Sequence, residues 1–155
     1  LRDGQCSVSP LLTINSLTDR ALVSLLQEAL PAITAVHSLQ QFLELVSTSS
    51  QPRTVEAYSS GLEAVLHQFS GFLASLEGEV ASQQATSSLL SVLARLRPWL
   101  AMIVHLASLH TAATGHFATS ENWYKAVRIL SVLYNALSTV TLQAMLPCVL
   151  DIFLR

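Results

Sequence analysis

Apolar residues recur along the chain at steps of three and four, most cleanly between Arg53 and Val80. Tyr58, Leu62, Val65, Leu66, Phe69, Phe72, Leu73, Leu76 and Val80 make one stripe along an α-helix. Glu56, Ser60, Glu63, His67, Ser70 and Glu77 fall between them and form a wet face, with the small Ala74 on the same side. At 1.5 Å per residue the helix is on the order of 40 Å long. That length predicts a spine against which shorter helices pack. Gly61 neighbours the stripe, where a missing side chain lets a partner helix come close.

The other segments follow the same period. Residues 1–16 mix Gly, Ser, Pro and Asn without helical spacing and read as an irregular leading arm. A first helix is predicted over Leu17–Leu30, with its stripe at Leu22, Leu25, Leu26 and Leu30; Pro31 either breaks it or begins a second helix. The second continues through Val36, Leu39, Phe42, Leu43 and Val46 to the turn formers at 47–53. After a polar turn at 83–88, Leu89 opens a helix that meets Pro98, giving either one kinked helix or two. The stretch 111–120 reads as a loop pivoting at Gly115. A fifth helix starts near Ser120 and buries Trp123, Val127, Leu130, Leu133, Leu137 and Val140; a sixth runs from about Thr141 and is kinked or restarted at Pro147. Alternating strand patterns are absent. The expected fold is all-α, an elongated bundle of about five to seven helices spanning residues 17–155.

Composition changes the picture in one respect. Of the 155 residues, 51% are apolar and only 12% charged, against about 25% charged in a typical soluble domain. Charge alone therefore cannot cover every outer helix face. Either another protein surface covers part of it, or Ser, Thr and Gln keep it wet. Residues 1–80 carry eight acids and three bases, and residues 81–155 two acids and five bases, so the halves have opposite sign. The scattered basic residues argue against nucleic-acid binding. No run of 18 uninterrupted apolar residues predicts a membrane span. The Leu at position 1 and the apolar pattern running into Arg155 lead to the expectation of a piece of a longer chain.

Chemistry is sparse. Cys6 and Cys148 lack the spacing of a zinc site; Cys148 reads as a buried thiol and Cys6 is uncommitted. The five histidines, His37, His67, His105, His110 and His116, read as surface or boundary residues, without the spacing of paired metal ligands. Glu77 and Glu79 are two apart and diverge on a helix, so they do not make an acid–base pair. There is no phosphate-binding glycine loop and no nucleophile motif. The expectation is a non-enzyme with no cofactor, metal site or catalytic residues. Tyr58, Gly61, Trp99, Trp123, Tyr124 and Lys125 remain as interface candidates, Tyr124 and Lys125 being best placed for exposure.

The segment 52–80 carries Arg53, Thr54, Ala57, Tyr58, Gly61, Leu62, Phe69, Leu76 and Glu77 in an order that resembles the gamma-tubulin complex components, in the first GRIP region of their amino-terminal helical half. The stretches 17–46, 88–110 and 129–140 are similar to helices of the same region, and within the family the likeness is closest to component five or six. The resemblance implies a scaffold part of the gamma-tubulin ring complex, which templates microtubules. It implies side-to-side contact between spokes, with other complex components as partners. Gamma-tubulin would dock on a carboxy-terminal half not contained in this sequence. The implied location is the cytoplasm, at the cytoskeleton and microtubule-organising centre. Two other classes compete: an amphipathic bundle binding lipid or membrane surfaces, weakened by the shortage of Lys and Arg, and a secreted helical-bundle ligand, which a Cys6–Cys148 bridge would favour.

Overall fold

A computed structural model describes residues 19–82, 89–115 and 121–138. They form four helices: α1 (Asp19–Thr48), α2 (Arg53–Ala81), α3 (Leu89–Thr114) and α4 (Asn122–Ser138). No strand occurs among the described residues, and the all-α expectation holds. The predicted sixth helix, Cys6 and Cys148 lie outside the described residues.

Among the described residues neither internal proline ends a helix, so elements that the spacing left open as one or two are single. α1 runs through Pro31 and α3 through Pro98. Each proline removes one backbone hydrogen bond, to the carbonyl four residues earlier. Both prolines are exposed, as are Gln27 and Ala94 at those carbonyls, so water can serve the freed groups. The loop expected at 111–120 also starts late, since α3 continues to Thr114. The α1 terminus is set locally: the hydroxyls of Ser47, Thr48 and Ser49 donate to the carbonyls of Glu44 and Leu45 at 2.7–3.1 Å. These bonds occupy acceptors that the helix end leaves free. Pro52 then caps α2 through its carbonyl, which accepts the Val55 and Glu56 amides at 2.8 and 3.1 Å.

α2 fits its predicted stripe closely. Tyr58, Leu62, Val65, Leu66, Phe69 and Leu76 are buried, Phe72 is half-buried, and every predicted wet-face residue is exposed. Val55 extends the buried face by one turn, while Leu73 and Val80 lie outside it. α2 is not a lone spine, however, because α1 is equally long. α1 contributes Ala32, Ala35 and Leu39, whose small residues permit close packing, and α3 contributes Ile103, Leu106, His110 and Ala113.

α1 and α4 each pack against both α2 and α3, so α2 and α3 occupy a diagonal of the bundle. Large rings span that diagonal. Trp99 of α3 lies 5.7 Å from Phe69 and 5.3 Å from Phe72 of α2, measured between ring centroids. Charges tie the rim across the two halves of the sequence. Arg95 grips the Glu79 carboxylate with two N–H donors, and Arg97 does the same to Glu28 at 2.7 and 3.3 Å. Two exposed pairs thus join acids of the first half of the sequence to bases of the second.

Leu62 is fully buried, so Leu62→Ala removes packed methyl groups and leaves a hole. The expected cost is about 3 kcal/mol, against less than ~1 kcal/mol for Leu73→Ala on the exposed border. Urea unfolding followed by helical circular dichroism measures both.

Candidate interaction surfaces and a buried polar cluster

The six interface candidates divide into two groups. Tyr58 and Gly61 are buried on α2, and Trp99 is half-buried against Phe69 and Phe72. These three build the core. Trp123 and Tyr124 are exposed at the start of α4, where their rings meet edge to face at 6.0 Å. The Trp123 indole N–H donates to the Glu121 carboxylate. Lys125, expected to be exposed, is half-buried instead.

The predicted buried face of α4 holds only in part. Leu133 of the expected face enters the core, joined by Ile129 and Ala136, whereas Trp123, Val127 and Leu130 of that face are exposed. The helix carries two apolar stripes, and the period alone cannot say which one meets the bundle.

His110 is a second correction. It is buried in the core, at 6% exposure, and not at a boundary. Its signal was available: Ile103, Leu106, His110 and Ala113 follow one another at steps of three, four and three, so the histidine sits on the packed stripe of α3. The Tyr58 hydroxyl lies 3.4 Å from Nδ1, and Thr114 Oγ1 lies 3.5 Å from Nε2. A neutral ring protonated on Nε2 satisfies both: Tyr58 donates to Nδ1, Nε2–H points to Thr114, and the Thr114 hydroxyl donates to the His110 carbonyl at 2.8 Å. Phe42 closes the cluster with its ring 4.5 Å from the imidazole. Burial pushes the imidazole pKa down to about 4 and holds the Tyr58 phenol above its ordinary range. A cleft of about 540 Å³ opens beside this cluster, between Phe42, Val46 and Val55 on one side and Gln41, Gln51 and Lys125 towards solvent.

A second cleft, of about 480 Å³, lies where α1, α2 and α3 meet and is lined by Ile33, Val36, Phe69, Leu73, Leu96 and Leu100. Its walls are mostly apolar, which suits another apolar side chain better than a polar ligand. Among the described residues no group of three or more His, Cys, Asp or Glu is placed to hold a metal ion. α3 is long and apolar enough to cross a membrane by length and composition. Here it supplies core residues, and it carries both arginines of the rim pairs.

With these surfaces defined, the chain matches a known family. The family model described as "Gamma tubulin complex component N-terminal" covers residues 2–151. No curated protein matches the chain.

The His110 cluster makes stability depend on pH. A ring kept neutral in the folded chain and free to protonate when unfolded contributes fully above pH 6.5 and loses that contribution as pH falls towards about 4. The loss is on the order of 3 kcal/mol, read as a falling urea midpoint, and His110→Gln flattens the slope across this window. Glu28 and Glu79, held below the usual carboxylate range by hydrogen bonds from Arg97 and Arg95, lose their stabilising pairing only at lower pH.

Proposed function

Because the chain belongs to the gamma-tubulin complex component family, we propose that it is a structural scaffold segment of the gamma-tubulin ring complex. Its task is lateral spoke-to-spoke assembly for microtubule nucleation, and it performs no catalysis. The match over residues 2–151 carries this reading. Two physical features support it. The long α1 and α2 give a stiff block, and large apolar side chains such as Ile33, Leu45 and Leu90 remain outside its core. Such side chains are stabilised when a neighbouring component covers them.

The partners under this reading are other gamma-tubulin complex components, with gamma-tubulin joined through a carboxy-terminal half beyond this segment. The location is the microtubule-organising centre, including the centrosome, and the branch is that of component five or six. The lipid-surface reading is less favoured, because the polar sides of the helices carry few Lys or Arg.

Affinity capture of the tagged native protein from cell extract is expected to bring down gamma-tubulin together with other complex components. Recovery of the intact protein without either overturns the assignment. Liposome flotation separates the competing class: the protein stays in the dense fraction with neutral and with anionic vesicles alike.

A further inference from the structure

The cleft beside the His110 cluster takes its walls from all four described helices. α1 supplies Phe42, Leu45 and Val46, α2 supplies Val55, α3 ends on it with His110 and Thr114, and α4 brings Lys125. Arg128, three residues beyond Lys125, donates its Nε–H to the Ala112 carbonyl at 3.0 Å and so holds the start of α4 against the end of α3. At about 540 Å³ the cleft has the size of a small-molecule site, for which ~300–1,000 Å³ is usual.

The wall is divided chemically. Phe42, Val46 and Val55 make an apolar side, and Gln41, Gln51 and Lys125 make a polar one. Among the described residues that line the cleft there is no Asp or Glu. Glu121, one turn before Lys125, accepts the Trp123 indole N–H. Burial keeps His110 neutral. Lys125 therefore sets the sign of the charge at the cleft, and that sign is positive.

We propose that this cleft binds a small amphipathic carboxylate: an aromatic or short alkyl body ending in a carboxyl group. This inference is independent of the scaffold reading. The body lies against Phe42, Val46 and Val55, and the carboxylate accepts a charge-assisted hydrogen bond from the Lys125 ammonium. An ammonium carries three N–H donors, so it can serve a carboxylate oxygen beside a partner within the protein. The two glutamines add donors on the same side. Gln41 spends one amide N–H on His37 Nε2 at 3.1 Å, and Gln51 spends one on Ser49 Oγ at 2.8 Å, and each amide carries a second. The mostly apolar cleft between α1, α2 and α3 has no Lys or Arg among its lining residues, so a ligand seated there would gain nothing from a carboxylate.

Titration of the full chain with 4-phenylbutyrate and with its neutral amide, followed by saturation-transfer NMR, tests the site. The acid is expected to bind about tenfold more tightly than the amide, a factor equivalent to ~1.4 kcal/mol. Lys125→Gln should bring the acid to the level of the amide and leave the amide unchanged. Val46→Trp fills the cleft from α1 and should abolish transfer from both compounds. Leu45→Trp does the same from a position that is 67% exposed, where a larger side chain leaves the packed core intact. Helical circular dichroism checks that each variant is folded. Equal affinity for acid and amide, or a preference for the acid that survives Lys125→Gln, would overturn the proposal. Transfer that persists in both tryptophan variants would place the ligand elsewhere, and no transfer at millimolar concentration would show no site; either result overturns it as well.

Discussion

The bundle depends on filling the diagonal between α2 and α3. Helices across a diagonal stand farther apart than neighbours, so large side chains are suited to bridge them. This sequence answers with rings. Tyr58 reaches His110 at one level and Phe69 and Phe72 flank Trp99 at another. Phe42 of α1 and the core leucines close around these contacts. Truncating a ring here would leave a hole that no neighbouring helix could close without losing its own contacts.

The same geometry explains why a histidine lies in the core. A ring of that size was needed beside Tyr58 and Phe42, and a polar ring is tolerated only when its nitrogens are served. Tyr58 and Thr114 serve them, the latter from the next turn of the same helix. The result is a group that stays neutral well below its ordinary pKa. Its hydrogen-bonding atoms are committed to neighbours within the bundle, which accords with a structural role for His110.

How much of this was legible from the residues varies by helix. α2 was readable for most of its residues because one face is apolar and the other polar, leaving a single way to lay it down. α4 was read only in part: Leu133 of the expected face is buried, but Ile129 and Ala136 join it in place of Trp123, Val127 and Leu130, because apolar residues lie on more than one side of the helix and tertiary packing chooses among them. The prolines were ambiguous because the cost of one lost backbone bond is weighed against burial along the rest of a long helix. At Pro31 and Pro98 burial won. Among the interface candidates, Tyr58 and Trp99 joined the core because large aromatics serve packing and recognition equally well, and sequence spacing does not separate the two uses.

The two prolines also stand at one height of the bundle. Glu28 precedes Pro31 by less than a turn, Arg97 adjoins Pro98, and these two charged side chains are bonded to each other. Ile33 and Leu100 share the walls of a single cleft at that level. Two long struts therefore have their missing rungs beside packed core, since Ala32 next to Pro31 is buried and Trp99 next to Pro98 lies against Phe69 and Phe72, with the Arg97–Glu28 pair on the outer side. The backbone bonds lost at the prolines are thus offset where the rings and the rim pair hold the two helices in place.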